Sequence, residues 1–151
     1  MEHNLTHWYG TTTEKILAWR ELRKSLGDTS DLNLTLDSIA NWWTYAPWVK
    51  KTIDPYKPET WPTPWDMISK GHFCRSAIAL GQAYTIWSLF PDLKCEIWLI
   101  NNRSEQDIHL ITVVDDSIML NYTMTVLEKV ENANYELLQV VKREDLKHIK
   151  L

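Results

Sequence analysis

Gly71-His-Phe-Cys74-Arg-Ser-Ala-Ile-Ala-Leu-Gly-Gln-Ala-Tyr-Thr-Ile-Trp-Ser-Leu89 is the stretch on which the fold turns. From Phe73 to Leu89 it is apolar nearly all round, which predicts a buried central helix rather than an amphipathic surface one. Ala77, Ala79, Gly81 and Ala83 are small and allow neighbouring elements to approach closely. Cys74 falls in the predicted first turn, where the helix carries partial positive charge.

Upstream, Thr11-Thr-Thr-Glu14 has capping-box spacing and leads into a stripe of Ile16, Leu17, Trp19, Leu22 and Leu26 that Gly27 ends, predicting a first helix. Gly27 to Asn33 reads as a polar turn. Thr35 is then the expected cap of a second helix carrying Leu36, Ile39, Trp42 and Trp43, stopped by Pro47. Between Ala46 and Trp65 lie five prolines and three tryptophans, so this segment should be an ordered, irregular crossing pinned to the body by its rings. Thr63-Pro64-Trp65-Asp66 starts a short helix that Gly71 closes.

Downstream, strands are expected over Cys95 to Ile100, Ile108 to Val114, Ile118 to Tyr122 and Tyr135 to Val141, with a helical turn within Arg143 to Ile149. Helices first and strands later predict an α+β domain with a buried Cys-bearing helix packed on an antiparallel sheet. The 151 residues fit a single domain, with 1–62 as a helical and Pro/Trp-rich cover and 63–151 as the core. A hydrophobic content of 44% suffices for one continuous interior.

Sixteen Lys plus Arg against twenty Asp plus Glu, with no basic stripe, argue against nucleic acid as partner despite nine tryptophans that could stack on bases. Two cysteines are too few for a disulfide framework, and the polar Met1-Glu-His-Asn4 start has no secretory apolar run, so a reducing compartment is expected. No apolar run reaches the roughly 18 residues of a membrane span, which predicts a soluble chain without a membrane partner. His3, His7, His72, His109 and His148 lack metal-ligand spacing with acidic partners, so no metal and no cofactor are expected.

Chemistry gathers around a thiol, an imidazole and an amide in the chain order Cys74, His109, Asn121. A thiol at a helix start is biased toward thiolate, a histidine against the sulfur could take and return the proton, and a third group must fix the ring. The hairpin register decides whether His109 and Asn121 can meet. A loop of Asp115-Asp116 alone puts them on opposite faces. A loop of Asp115-Asp116-Ser117 sets Val114 opposite Ile118 and brings His109 and Asn121 to one face about 7 Å apart, and this three-residue loop is the predicted one. His72 is a weaker rival base, since its position two residues from Cys74 points it elsewhere. The Cys74 amide is the first oxyanion candidate, followed by the indoles of Trp61 and Trp65. Each residue also has a plain structural explanation: a cysteine among alanines is commonly a small core residue, and an asparagine near a turn often bonds its own backbone. Cys95 reads as structural.

Gly71-His-Phe-Cys74-Arg-Ser-Ala-Ile-Ala-Leu-Gly, then His109-Leu-Ile-Thr-Val-Val, then Met119-Leu-Asn121-Tyr resembles the transglutaminase-like cysteine peptidases of bacteria and phages, over about residues 63 to 141. Trp61-Pro-Thr-Pro-Trp-Asp66 also resembles a segment of small proteins encoded by tailed bacteriophages. The resemblance implies a transglutaminase-like or papain-like core, Cys74 as nucleophile, His109 as general base and acid, Asn121 as orienting group, and a thioester route on a peptide or protein substrate. It further implies the host cytoplasm or a virion as the setting. Two departures stand out: Phe73, Arg75 and Ser76 flank the cysteine where the family has acidic residues, and asparagine stands where it has aspartate. They leave open a non-catalytic phage protein, either a virion component or a host-protein binder.

Overall fold

A computed structural model of the chain describes residues 5–27, 31–123, 126–128, 131 and 133–151. Four α-helices precede a five-stranded antiparallel sheet. Helix α1 spans Thr12–Leu26, α2 Leu32–Thr44, α3 Pro64–Lys70 and α4 Arg75–Leu89. The strands are β1 Cys95–Asn102, β2 Asp107–Val114, β3 Ile118–Leu120, β4 Leu127–Glu128 and β5 Tyr135–Val141, in spatial order β4-β3-β2-β1-β5. This is the expected α+β arrangement.

Local chemistry explains most boundaries. Thr11 and Thr63 each accept a backbone N–H three residues on, and Gly71 ends α3 at φ 70°, a left-handed conformation that glycine adopts without strain. The polar turn after Gly27 includes residues 28–30, outside the described residues. Helix α2 begins earlier than expected, because Asp31 rather than Thr35 accepts from Leu34 N–H; Thr35 lies inside the helix and its hydroxyl donates back to Asp31 O. The closing helical turn falls at Arg143–Asp145, within the expected span, as a 3-10 turn.

Helix α4 is buried along almost its whole length. Gly81 is the point of closest approach: a Cβ there would lie 2.4 Å from the Trp43 ring. One turn on, the Thr85 hydroxyl donates to Gly81 O and accepts from the indoles of both Trp19 and Trp43, at 3.0 and 2.9 Å. Trp8, Trp61 and Trp87 give their indole N–H to the carbonyls of Trp42, Asp54 and Cys95. Much of the tryptophan content is thus apolar bulk with its one donor satisfied, the condition for burying this ring at low cost.

The sheet has two unlike faces. Thr112 donates to Ala79 O at 2.6 Å, and Leu110 and Val114 join the large core around α4. Because side chains alternate along a strand, Ile111 and Val113 point the other way, into a smaller cluster with Trp98, Ile100, Met119 and Tyr122. The hairpin from β2 to β3 has the predicted three-residue loop, with Val114 opposite Ile118 and Asp115 and Asp116 both left-handed at φ 54° and 57°.

Candidate active site

Cys74 is the N-cap of α4, one position before the first turn, with extended backbone at φ −84° and ψ 170°. The crossing of residues 46–62 delivers its partner. Phe73 N–H donates to Pro47 O and Val49 N–H to Phe73 O, both at 3.0 Å, a parallel bridge that lays this segment beside the approach to the helix. Thr52 then faces the cysteine: its hydroxyl donates to Sγ at 3.3 Å, while the Cys74 N–H lies 3.2 Å from the same oxygen. The sulfur closes no capping hydrogen bond onto α4.

Burial works against ionisation of this thiol, yet its pKa lies below the usual value. The Thr52 hydroxyl and the nearby N–H groups of Thr52, Ala77 and Ile53 outweigh desolvation. The effect is that of a small anion cradle at a helix N-terminus.

His109 lies on β2 with the parity of Ile111 and Val113, so its ring occupies the face of the sheet away from α4. Nδ1 is 2.9 Å from Leu110 O and Nε2 3.2 Å from Asn102 Nδ2, which assigns the proton to Nδ1 and makes Nε2 an acceptor. Asn102 donates again to Tyr122 O. Burial, and then the neighbouring Arg75 cation, push the imidazole down to about 4, so it is neutral at pH 7. Neither ring nitrogen has the Cys74 sulfur as a hydrogen-bond partner.

Asn121 leaves the sheet. Strand β3 ends at Leu120 rather than at Tyr122, and Asn121 turns away at φ 74°. Its amide donates to Arg75 O at 2.8 Å and to Leu110 O at 2.9 Å. Asn121 and His109 therefore meet on one backbone oxygen, Leu110 O, rather than bonding one another. The diagonal pairing expected from the register is not formed, because the chain departs one residue too early.

The oxyanion candidates fare differently. The Trp61 N–H is spent on Asp54 O and its ring is 2% exposed. Trp65 stands edge-on to Trp19, whose indole holds Thr85, roughly 16 Å along α4 from Cys74. Trp61 has spent its donor, and Trp65 packs on Trp19 away from the mouth of α4. The Cys74 amide points at Thr52 Oγ1. Sequence reasoning missed Thr52 and Asn102, the two residues that hold the thiol and the ring; a threonine in a proline-rich crossing and an asparagine ending a strand carry no local signal of such roles.

Arg75 links the elements. It pairs with Glu105 and with Asp107 at 3.4 Å, and its other nitrogen donates to Tyr122 O at 2.7 Å. Between the two carboxylates this arginine replaces the acidic flank that the sequence resemblance implied.

Among known proteins, no family model and no curated protein matches the chain. Solved structures do. Calcium-bound LapG of Legionella pneumophila superposes with a TM-score of 0.74 at 15% identity, covering 89% of this chain and 78% of that one. A second LapG structure gives 0.71 at 15% identity over 87% and 76%. A candidate cysteine protease of Cytophaga hutchinsonii gives 0.50 at 9% identity over 93% and 55%. The shared property is the α+β fold. Calcium belongs to the first of those structures: among the described residues here no group of three or more His, Cys, Asp or Glu could hold a metal, and Glu105 and Asp107 are engaged by Arg75. Also among the described residues, no helix is long and apolar enough to cross a membrane.

Proposed function

We propose that the chain is a cysteine-dependent amide hydrolase or acyl-transferase acting on a protein or peptide through a thioester at Cys74. The observation that carries this reading is the sulfur's setting: a helix N-cap thiol, given a hydroxyl hydrogen bond by Thr52 and held below its ordinary pKa although it is buried. Cys74 would pass its proton to Nε2 of His109 and attack the amide carbon, the amine would leave with that same proton, and water, deprotonated by the ring, would then hydrolyse the thioester to the carboxylic acid as the proton returns to the sulfur. In this scheme His109 is the acid and base and Asn121 the group that fixes it, through the Leu110 oxygen they share.

His109 can serve only after its ring exchanges Asn102 for the sulfur. The ring lies on the face of the sheet away from α4, and β2 is paired with β1 along Asp107–Val114, so this exchange requires the strand itself to move. Acylation and turnover should therefore separate. With p-nitrophenyl acetate, the wild type should release one equivalent of nitrophenol in a burst that Cys74→Ala abolishes. His109→Ala should keep the burst and lose the steady state. Absence of a burst, or a burst that survives Cys74→Ala, would remove the nucleophile.

A second reading has its own observation. His109 is neutral and doubly bonded, and Tyr45, Trp48 and Tyr56 are exposed around the crossing. These features suit a non-catalytic protein of a phage particle, or a binder of a host protein, that uses the Trp and Pro-rich face as its contact. Stoichiometric recovery with purified particles would favour it; a free protein with thiol turnover would not.

A further inference from the structure

A pocket of about 380 Å³ lies beside the first turn of α4, with Thr44, Trp48, Arg75, Ile78, Glu105, Asn121 and Thr123 in its wall; Cys74, the residue before Arg75, is its neighbour rather than part of it. Its placement follows from the elements already described. Trp48 is paired by the parallel bridge to Phe73, the residue before the cysteine. Arg75 is the residue after it, and Ile78 lies one helical turn further along the same side of α4.

The wall chemistry is selective. Ile78 and the Trp48 indole, 65% exposed, supply an apolar channel ending in an aromatic face. Glu105 and Asn121 offer acceptors at its rim, and Thr44 and Thr123 add hydroxyls that can donate or accept. Asn121 has already committed its amide N–H groups to Arg75 O and Leu110 O, leaving Oδ1. Arg75, the one cation of the wall, is occupied by Glu105, Asp107 and Tyr122 O, so two carboxylates surround a single guanidinium and one negative charge is left over. An aliphatic stem with a cationic tip matches this: methylenes along Trp48 and Ile78, the charge over the indole and beside Glu105.

We propose that this pocket is a subsite for a lysine or arginine side chain of the substrate, next to the amide presented to Cys74. The inference deepens the proposed function and rests on it for the word substrate, but the pocket can be tested without turnover.

In Cys74→Ala protein, blocked alanine-based pentapeptides with a central arginine, norleucine or glutamate are titrated while the indole N–H resonance of Trp48, assigned by Trp48→Ala, is followed by NMR. The arginine peptide should move that resonance and bind about fivefold or more tighter than norleucine, with glutamate weakest. In Glu105→Gln the preference for arginine over norleucine should fall to within about twofold, whereas Trp48→Ala, followed by isothermal titration calorimetry because the probe resonance is gone, should weaken both peptides. Equal binding of arginine and norleucine, an unchanged preference in Glu105→Gln, or no shift with any peptide overturns the subsite. A wild-type protein that shows no acyl burst while the arginine peptide still binds would instead overturn the nucleophile and leave the pocket standing.

Discussion

Two cysteines, both nearly closed to solvent, sit in regions that treat a thiol in opposite ways. Cys74 is 4% exposed at the mouth of α4, and its pKa is lowered; Cys95 is 6% exposed at the head of β1, and its pKa is raised, first by burial and then by the Glu96 charge. Desolvation acts on both and weighs more on Cys95, which is the more deeply enclosed. Cys74 also has the Thr52 hydroxyl and the N–H groups of Thr52, Ala77 and Ile53 within reach, whereas Cys95 has a carboxylate and no donor offsetting it. Burial alone therefore does not mark a thiol as inert; the count of donors aimed at it does.

The most severe way to break that contrast is alkylation. At neutral pH, iodoacetamide should modify Cys74 about a thousandfold or more faster than Cys95 in the folded protein, read by peptide mass analysis. Comparable rates would mean that the two environments do not differ as described.

His109 extends the contrast to a base, since it too is buried beside an unhelpful charge, that of Arg75. Its folded pKa of about 4 lies below the ordinary value near 6.5, so the unfolded chain binds the extra proton between those limits. The stabilisation is complete above pH 6.5 and is lost as pH falls toward 4, amounting to about 3 kcal/mol in denaturant melts. His109→Gln should flatten that slope. A His109 NMR titration centred near 6.5 would contradict the ring's placement.

Gln82 sharpens the same lesson from the side of the donors. It is fully buried on α4, and neither its Nε2 nor its Oε1 has a partner among the described residues. Gln82→Met, close in shape, should raise stability by about 2 kcal/mol in chemical denaturation, since it removes two orphaned polar atoms. A loss of stability would show that the amide is satisfied after all. The smallest effect is expected at Thr52→Val, which should raise the Cys74 pKa and slow its alkylation severalfold at pH 7 without changing Cys95.

How much of this was written locally in the chain follows from the range of each interaction. Caps and turns are short-range, so Thr11, Thr63, Gly71 and the Asp115-Asp116-Ser117 loop were legible, and so was the buried helix from its unbroken apolar run. Asp31 won the cap of α2 because it stands one residue before the helix, a choice between neighbours that pattern alone leaves close. The two-residue strand β4 is too short to announce itself. At the site, Cys74 was visible from its position at a helix start. Its partner Thr52 was not, being 22 residues away in a proline-rich crossing. His109 and Asn121 were singled out on chain order and register. Where their side chains go depends on one backbone turn at Asn121 and on Asn102 at the end of the adjacent strand, neither of which the periodicity encodes.

The central claim is that donors around Cys74 overcome its burial. Titrating the thiolate absorbance of Cys95→Ala protein in the ultraviolet tests it most directly. The midpoint should fall below about 8.5 and rise in Thr52→Val. A midpoint at or above that value, unmoved by Thr52→Val, would contradict the account.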